Sequence, residues 1–132
     1  MASIREDYIE RMIERLVAAL AAILKAGRQE RWDEALDLVR QTSLSLFGLE
    51  YRMLVTIDAL SVAELLGHPE KLKALARLIL EEARLFEHQG ELPLAASRRS
   101  HAEALLRQAQ RRRSTPDPEC EALLASLRVT PG

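Results

Sequence analysis

The stretch Gly90-Glu91-Leu92-Pro93-Leu94-Ala95-Ala96 decides the fold. A glycine stands where a preceding periodic segment runs out, which is where a left-handed residue closes a helix. A proline follows three residues later, where the first turn of a new helix tolerates a residue without an N–H. Ala95 then falls where two antiparallel helices come closest. The segments on either side carry the matching pattern. Upstream, about 69–89, Leu72, Leu75, Ala76, Ile79, Leu80 and Ala83 recur at spacings of three and four and continue to Phe86, with Leu78 and Leu85 off that stripe. Downstream, about 92–112, the apolar side is Ala95, Ala102, Leu105, Leu106 and Ala109. This is a helical hairpin.

The same grammar extends along the chain. Glu30-Arg31-Trp32-Asp33-Glu34-Ala35-Leu36 opens a second such hairpin between a helix at about 4–26 and another at about 31–47. The first of these has Ile9, Ile13, Leu16, Leu20 and Ile23 in a heptad-like seam, and the second has Trp32, Ala35, Leu36, Val39, Leu46 and Phe47 on its apolar side. A less regular segment runs from Leu49 through a break near Asp58 to Leu66. The four internal glycines, 27, 48, 67 and 90, each follow a helical segment and are expected at left-handed C′ positions. Ser3 with Glu6 and Ser61 with Glu64 have capping-box spacing, and Asp117 before Pro118 reads as an N-cap. Ser114 to Pro116 forms a linker to a short last helix with Cys120, Leu123, Leu124 and Leu127 on one face. Period-two β-branched runs are absent. The expected class is all-α, with five to six helices in antiparallel hairpins, a helical domain over 1–113 and a linker plus docking helix over 114–132.

The two hairpin openings resemble the tetratricopeptide helix–turn–helix unit, with Trp32-Asp33-Glu34-Ala35 the best local match. Ala83, Phe86, Gly90, Ala95 and Ala102 fall on its small or aromatic positions. Glu82 and Arg99 depart from it, standing where the repeat has apolar residues, and the two units lie about 60 residues apart instead of 34. Over roughly 7–109, the segments Asp7 to Glu14, Asp33 to Leu36, Leu46 to Leu49 and Ala83 to Gly90 resemble a bacterial family of tetratricopeptide-like proteins known only as a domain of unknown function. That resemblance implies a fold and no catalytic residues.

Composition and motifs exclude several chemistries. The 132 residues are 48% hydrophobic and 30% charged with a net charge of −1, so no overall field demands nucleic acid or anionic lipid. One cysteine excludes an internal disulfide and a multi-thiolate zinc site. The longest apolar run, Leu16 to Leu24, is half of what a membrane span requires, and it follows acidic residues where a secretory leader is basic. The expected location is the cytoplasm. The closest two glycines are 19 residues apart, which excludes the phosphate-cradling glycine loops. Neither Glu-x-x-His, His-Glu-x-x-His nor Gly-x-Ser-x-Gly occurs. His88 and His101, with Glu87 or Glu91, are the one metal arrangement the hairpin could assemble, set against two solvated histidines near a turn. Cys120, among acidic neighbours and in phase with three leucines, reads as a buried small hydrophobe. No cofactor is expected.

The local charge anomaly is basic: Arg98, Arg99, Arg107, Arg111, Arg112 and Arg113 face only Glu91 and Glu103, a balance of +4. Such a stripe suits a solvated helix end, an acidic protein partner at Arg99, Arg107, Arg111 and Arg112, or phosphates. No aromatic residue interrupts it to stack bases, and the arginines spread around the helix, with Arg98 expected to lay its stem on the core and its head in water. The alanine-rich first helix has apolar residues on more than one stripe, so its seam of Ile9, Ile13, Leu16, Leu20 and Ile23 is the expected contact of a homodimer. The function these features favour is a non-enzymatic protein-interaction or scaffold module that holds a partner's helix or peptide. The alternatives are a small-molecule-binding or enzymatic domain with a polar pocket of Arg99, His88 and Glu82, and nucleic-acid contact through the arginine-rich helix.

Overall fold

The computed structural model describes residues 4–128. Seven helices account for these residues, and no strand is present among them: α1 (Ile4–Arg28), α2 (Trp32–Phe47), α3 (Tyr51–Thr56), α4 (Ala59–Leu66), α5 (Pro69–His88), α6 (Leu92–Arg111) and α7 (Pro118–Arg128). The all-α expectation holds, and the irregular third segment resolves into two helices. Their separation has a local cause at Asp58. Its carboxylate accepts from the Ser61 N–H at 3.0 Å and from the Ser61 hydroxyl at 2.6 Å, which caps α4. Asp58 thus takes the capping role expected of Ser61, because it stands just outside the first turn and Ser61 lies inside it. Ser3, the other expected cap, lies outside the described residues.

The two hairpins turn alike. At α5–α6, the Glu91 N–H bonds to the Phe86 carbonyl (2.8 Å) and the Gly90 N–H to the Glu87 carbonyl (3.0 Å), with Gly90 at φ 78°. At α1–α2, the Arg31 N–H bonds to the Ala26 carbonyl (2.9 Å) and the Glu30 N–H to the Gly27 carbonyl (3.0 Å), with Glu30 at φ 58°. Each is the double closure of a Schellman turn, offset by 60 residues. The left-handed position expected of Gly27 therefore belongs to Glu30, and Gly27 is helical. Its lack of a side chain serves packing instead, since a Cβ there would lie 3.0 Å from Leu85 Cδ2 on α5. Ala35 and Ala95, the alanines of the two openings, are fully buried.

Helix α5 is the centre, packing against α6, α2, α1 and α4. A helix covered on most sides buries more than one stripe. Leu78 and Leu85, off the predicted stripe, are accordingly buried beside Leu72, Leu75 and Ile79. The seam of α1 also faces inward: Ile9, Leu16 and Ile23 are buried in the chain's own core, with Ile13 and Leu20 half-buried against it. What α1 leaves outside is Tyr8, 45% exposed, and Val17, 52% exposed.

Helix α7 docks on α6. Asp117 caps it by accepting from the Glu119 N–H (3.0 Å) and the Cys120 N–H (3.4 Å), as the Asp-Pro signal predicts. Cys120 and Leu124 are buried, and the Cys120 thiol donates to the Leu106 carbonyl at 3.3 Å. Among the described residues, no helix is long and apolar enough to cross a membrane.

Candidate functional site

Because α5 packs against both helices of the other hairpin and α7 returns beside it, one of its edges is left as the floor of a trough. A cavity of about 660 Å³ is bounded by Leu20 of α1, Arg77, Leu80 and Arg84 of α5, Arg99 of α6 and Leu127 of α7. A second, of about 310 Å³, continues past Gly27 and Trp32 to His88. Both are lined by Glu81 and Arg84, one turn apart on α5, so the two meet there. The bare backbone of Gly27 keeps the second half open, since it lines the wall where α1 nears Leu85. Leu20, Leu80, Leu123 and Leu127 are half-buried and make the floor apolar.

Charges rim this floor. Arg99 forms an ion pair with Glu87, and Arg77 approaches Glu119 at 3.8 Å. Glu81 and Arg84 make no ion pair with any described residue. The trough is open, and its charged groups pair along its walls rather than converging on one point. It has the character of a surface for an extended or helical segment more than of an enclosed reaction chamber.

The residues expected to converge as a polar pocket are dispersed. Arg99 lines the trough, His88 stacks on Trp32 at the other end (ring centroids 5.8 Å apart), and Glu82 lies in a different cavity. His101 sits far from the turn, its Nε2 2.8 Å from the Leu54 carbonyl. The structure does not bring it to His88. Among the described residues, no group of three or more His, Cys, Asp or Glu side chains is placed to hold a metal ion. Of the basic stripe, Arg107 pairs with Glu103 at 2.9 Å and Arg113 with Glu70 at 2.7 Å. Arg111 and Arg112 are exposed and make no ion pair with a described residue.

Two buried polar clusters escaped the sequence reading. In the first, Glu82 is 3% exposed, accepts from the Tyr51 hydroxyl at 2.8 Å and is ion-paired with Arg98, whose guanidinium lies 5.8 Å from the Phe86 ring centroid. Burial and then the adjacent Glu82 carboxylate push the Tyr51 phenol well above its usual range, which keeps it a donor. The head of Arg98 is therefore engaged with a buried acid and not in water as expected. The available signal was Glu82 itself: a carboxylate in phase with Leu75 and Ile79 demands a partner.

In the second cluster, Lys73 is 8% exposed and donates to Asp117 at 2.8 Å and Glu70 at 3.2 Å. Burial works against both charges, yet the hydrogen bonds and opposite charges win. Lys73 is held above the usual ammonium range and Asp117 below the usual carboxylate range. A lysine so held stays protonated and is no nucleophile at neutral pH. Burial and the Asp117 charge push the Cys120 thiol up, away from reactivity.

These features define an all-helical protein of two like-turned hairpins with an open amphipathic trough. Comparison of the chain with protein families, with characterised proteins and with solved structures finds no match.

Proposed function

We propose that this chain is a non-enzymatic, tetratricopeptide-like interaction module of the bacterial cytoplasm, whose trough along α5 holds an amphipathic helix or peptide of a partner protein. The observation that carries the reading is the trough itself, two cavities meeting at Glu81 and Arg84 over a leucine floor. A partner's apolar residues at one-turn spacing fit such a floor, while Arg84 and Glu81, unpaired within the described chain, offer it charges at the rim. The dispersal of Arg99, His88 and Glu82 disfavours the enzymatic alternative. The pairing of Arg99 and Arg107 with carboxylates likewise disfavours the nucleic-acid one. A homodimer is compatible with the module through surface the chain leaves open, Leu20 on the trough included, since Ile9, Leu16 and Ile23 of the α1 seam are buried within the chain.

The test is affinity capture from the source cell with quantitative mass spectrometry, using the unmutated chain and a Ser126→Arg, Arg84→Glu variant. Both positions are exposed and line the trough, so the substitutions fill and recharge it without touching the core. A protein retained by the first and lost by the second supports the reading. Identical capture by both chains overturns it.

A further inference from the structure

A third cavity, of about 400 Å³, lies on another side of α5, framed by Arg40 of α2, Tyr51, Arg52 and Val55 of α3, Glu82 of α5 and Arg98 of α6. Three guanidinium groups from three helices border one space. Only one of them is strongly committed. Arg52 makes no ion pair with a described residue, and Arg40 meets Asp37 at 3.7 Å with both side chains about two-thirds exposed, a contact too long and too wet to hold it. Arg98 gives its Nε to Glu82, which fixes the guanidinium beside the Tyr51 hydroxyl with its Nη edge bordering the cavity. Tyr51 steadies the same carboxylate from the other direction.

The charges around this cavity do not cancel. Within the lining, Glu82 is matched by Arg98, and Arg40 and Arg52 leave a surplus of two positive charges beside a largely buried floor, with Asp37 outside the lining and only loosely held by Arg40. A dianion balances that surplus. Planar guanidinium forks bind tetrahedral phosphate oxygens in pairs, and three forks from separate directions suit the three terminal oxygens of a monoester better than the two of one carboxylate. The volume, within the range of small-molecule sites, exceeds what a phosphate group fills, and Val55 supplies an apolar wall for an organic body.

We propose that this cavity binds a phosphate monoester of a small organic molecule, held by Arg40, Arg52 and the Nη edge of Arg98. Glu82 and Tyr51 act as positioning residues: they hold Arg98 in the wall and touch no ligand. The site is separate from the trough, so the proposal stands or falls independently of the partner-binding reading.

The test is a titration of the full chain, at constant ionic strength and pH 7, with glucose 6-phosphate, inorganic phosphate, succinate and glucose. It is followed by amide and arginine Nε–H nuclear magnetic resonance shifts. Glucose 6-phosphate is expected to saturate with shifts centred on Tyr51, Arg52, Val55 and Arg98, inorganic phosphate to reproduce the arginine shifts more weakly, and glucose to give none. Arg52→Ala and Arg40→Ala should each weaken binding by about tenfold or more, as loss of a charged hydrogen-bond donor does. Arg112→Ala, which removes an exposed arginine elsewhere, should not. Both tested arginines are exposed, so unchanged thermal melts are expected to accompany the loss. Failure of glucose 6-phosphate to saturate by about 50 mM, beyond the millimolar range of even weak specific sites, overturns the proposal. Undiminished binding by Arg40→Ala and Arg52→Ala, or equal affinity for succinate, does so as well.

Discussion

Replacing Asp117 by Asn separates two jobs that one side chain performs. Asparagine is as good an N-cap as aspartate, so the acceptor for the Glu119 and Cys120 N–H groups is kept. What disappears is the negative charge 2.8 Å from Lys73 Nζ. Removing one partner of a buried ion pair costs about 3–5 kcal/mol when the other is left alone. Lys73 is not left alone, for Glu70 stays at 3.2 Å and Glu119 at 3.8 Å. The expected loss is therefore that of one charged hydrogen bond, about 2 kcal/mol. For a chain of this length that corresponds to a fall of about 6–8 °C in Tm.

Because Asp117 and Cys120 sit at the same end of α7, the loss should also appear as local opening, read by the labelling rate of the Cys120 thiol. If α7 opens ahead of the rest, about 2 kcal/mol accelerates labelling by about 30-fold. The pH dependence follows from the directions of the shifts. Asp117 is depressed in the fold, so its contribution is present above the ordinary carboxylate range and is lost as pH falls through its lower folded value. Lys73 is raised, so its contribution persists below the ordinary ammonium range and is lost only as pH rises through its higher folded value. The gap between the two proteins should be flat from about pH 5 to 9 and close in acid. A gap that is absent at pH 7, or a Cys120 labelling rate equal in both, refutes the assignment of Lys73–Asp117 as the clasp of α7.

Other substitutions probe the rest of the frame. Glu82→Ala leaves Arg98 and the buried Tyr51 hydroxyl without their acceptor and should cost about 3–5 kcal/mol in urea denaturation, whereas Tyr51→Phe should cost about 1 kcal/mol. Gly27→Val drives a branched side chain into Leu85 and should destabilise by about 1–3 kcal/mol. Gly27→Ala should be near neutral, since a helix-propensity gain of about 1 kcal/mol offsets the 3.0 Å contact. Any binding to duplex DNA should show a log-affinity against log-salt slope no steeper than about −3, because Arg99, Arg107 and Arg113 are already paired. Mobility shifts over a salt series check this, and a steeper slope would restore the nucleic-acid reading.

The elements were legible because their signals are local. Periodic leucines placed α5 and α6, and Pro93 and Asp117 marked starts that the structure keeps. Gly27 shows where local reading ends. A glycine after an apolar run looks like a helix terminus, but close approach to a residue 58 positions away puts the same demand on the sequence. The left-handed residue is then Glu30, which nothing in its type announces. The seam of α1 was ambiguous for a related reason. A stripe tells that a face is covered and not by what, and here α2 and α5 of the same chain cover it. The charged clusters were hidden more deeply: Lys73 meets Asp117 across 44 positions and Tyr51 meets Glu82 across 31, pairings that exist only after the helices have packed.

That both clusters lie on α5 follows from its place in the middle. A central helix buries nearly its whole circumference, and its charges can be kept only where a neighbour supplies the opposite sign. Lys73 near its start is matched by α7, and Glu82 near its end by α3 and α6. These pairs specify partners in a way leucines do not: a register slip of α7 or α6 that still buried apolar surface would strand a charge. Replacing Lys73 by Met together with Asp117 by Asn removes the charges from both sides, and it should cost less than the sum of the single changes. If the double variant is as stable as the parent yet labels at Cys120 as fast as Asp117→Asn, the ion pair sets the docking of α7 and adds nothing net to global stability. If it labels as slowly as the parent, apolar contacts alone hold α7, and the clasp has no role in either.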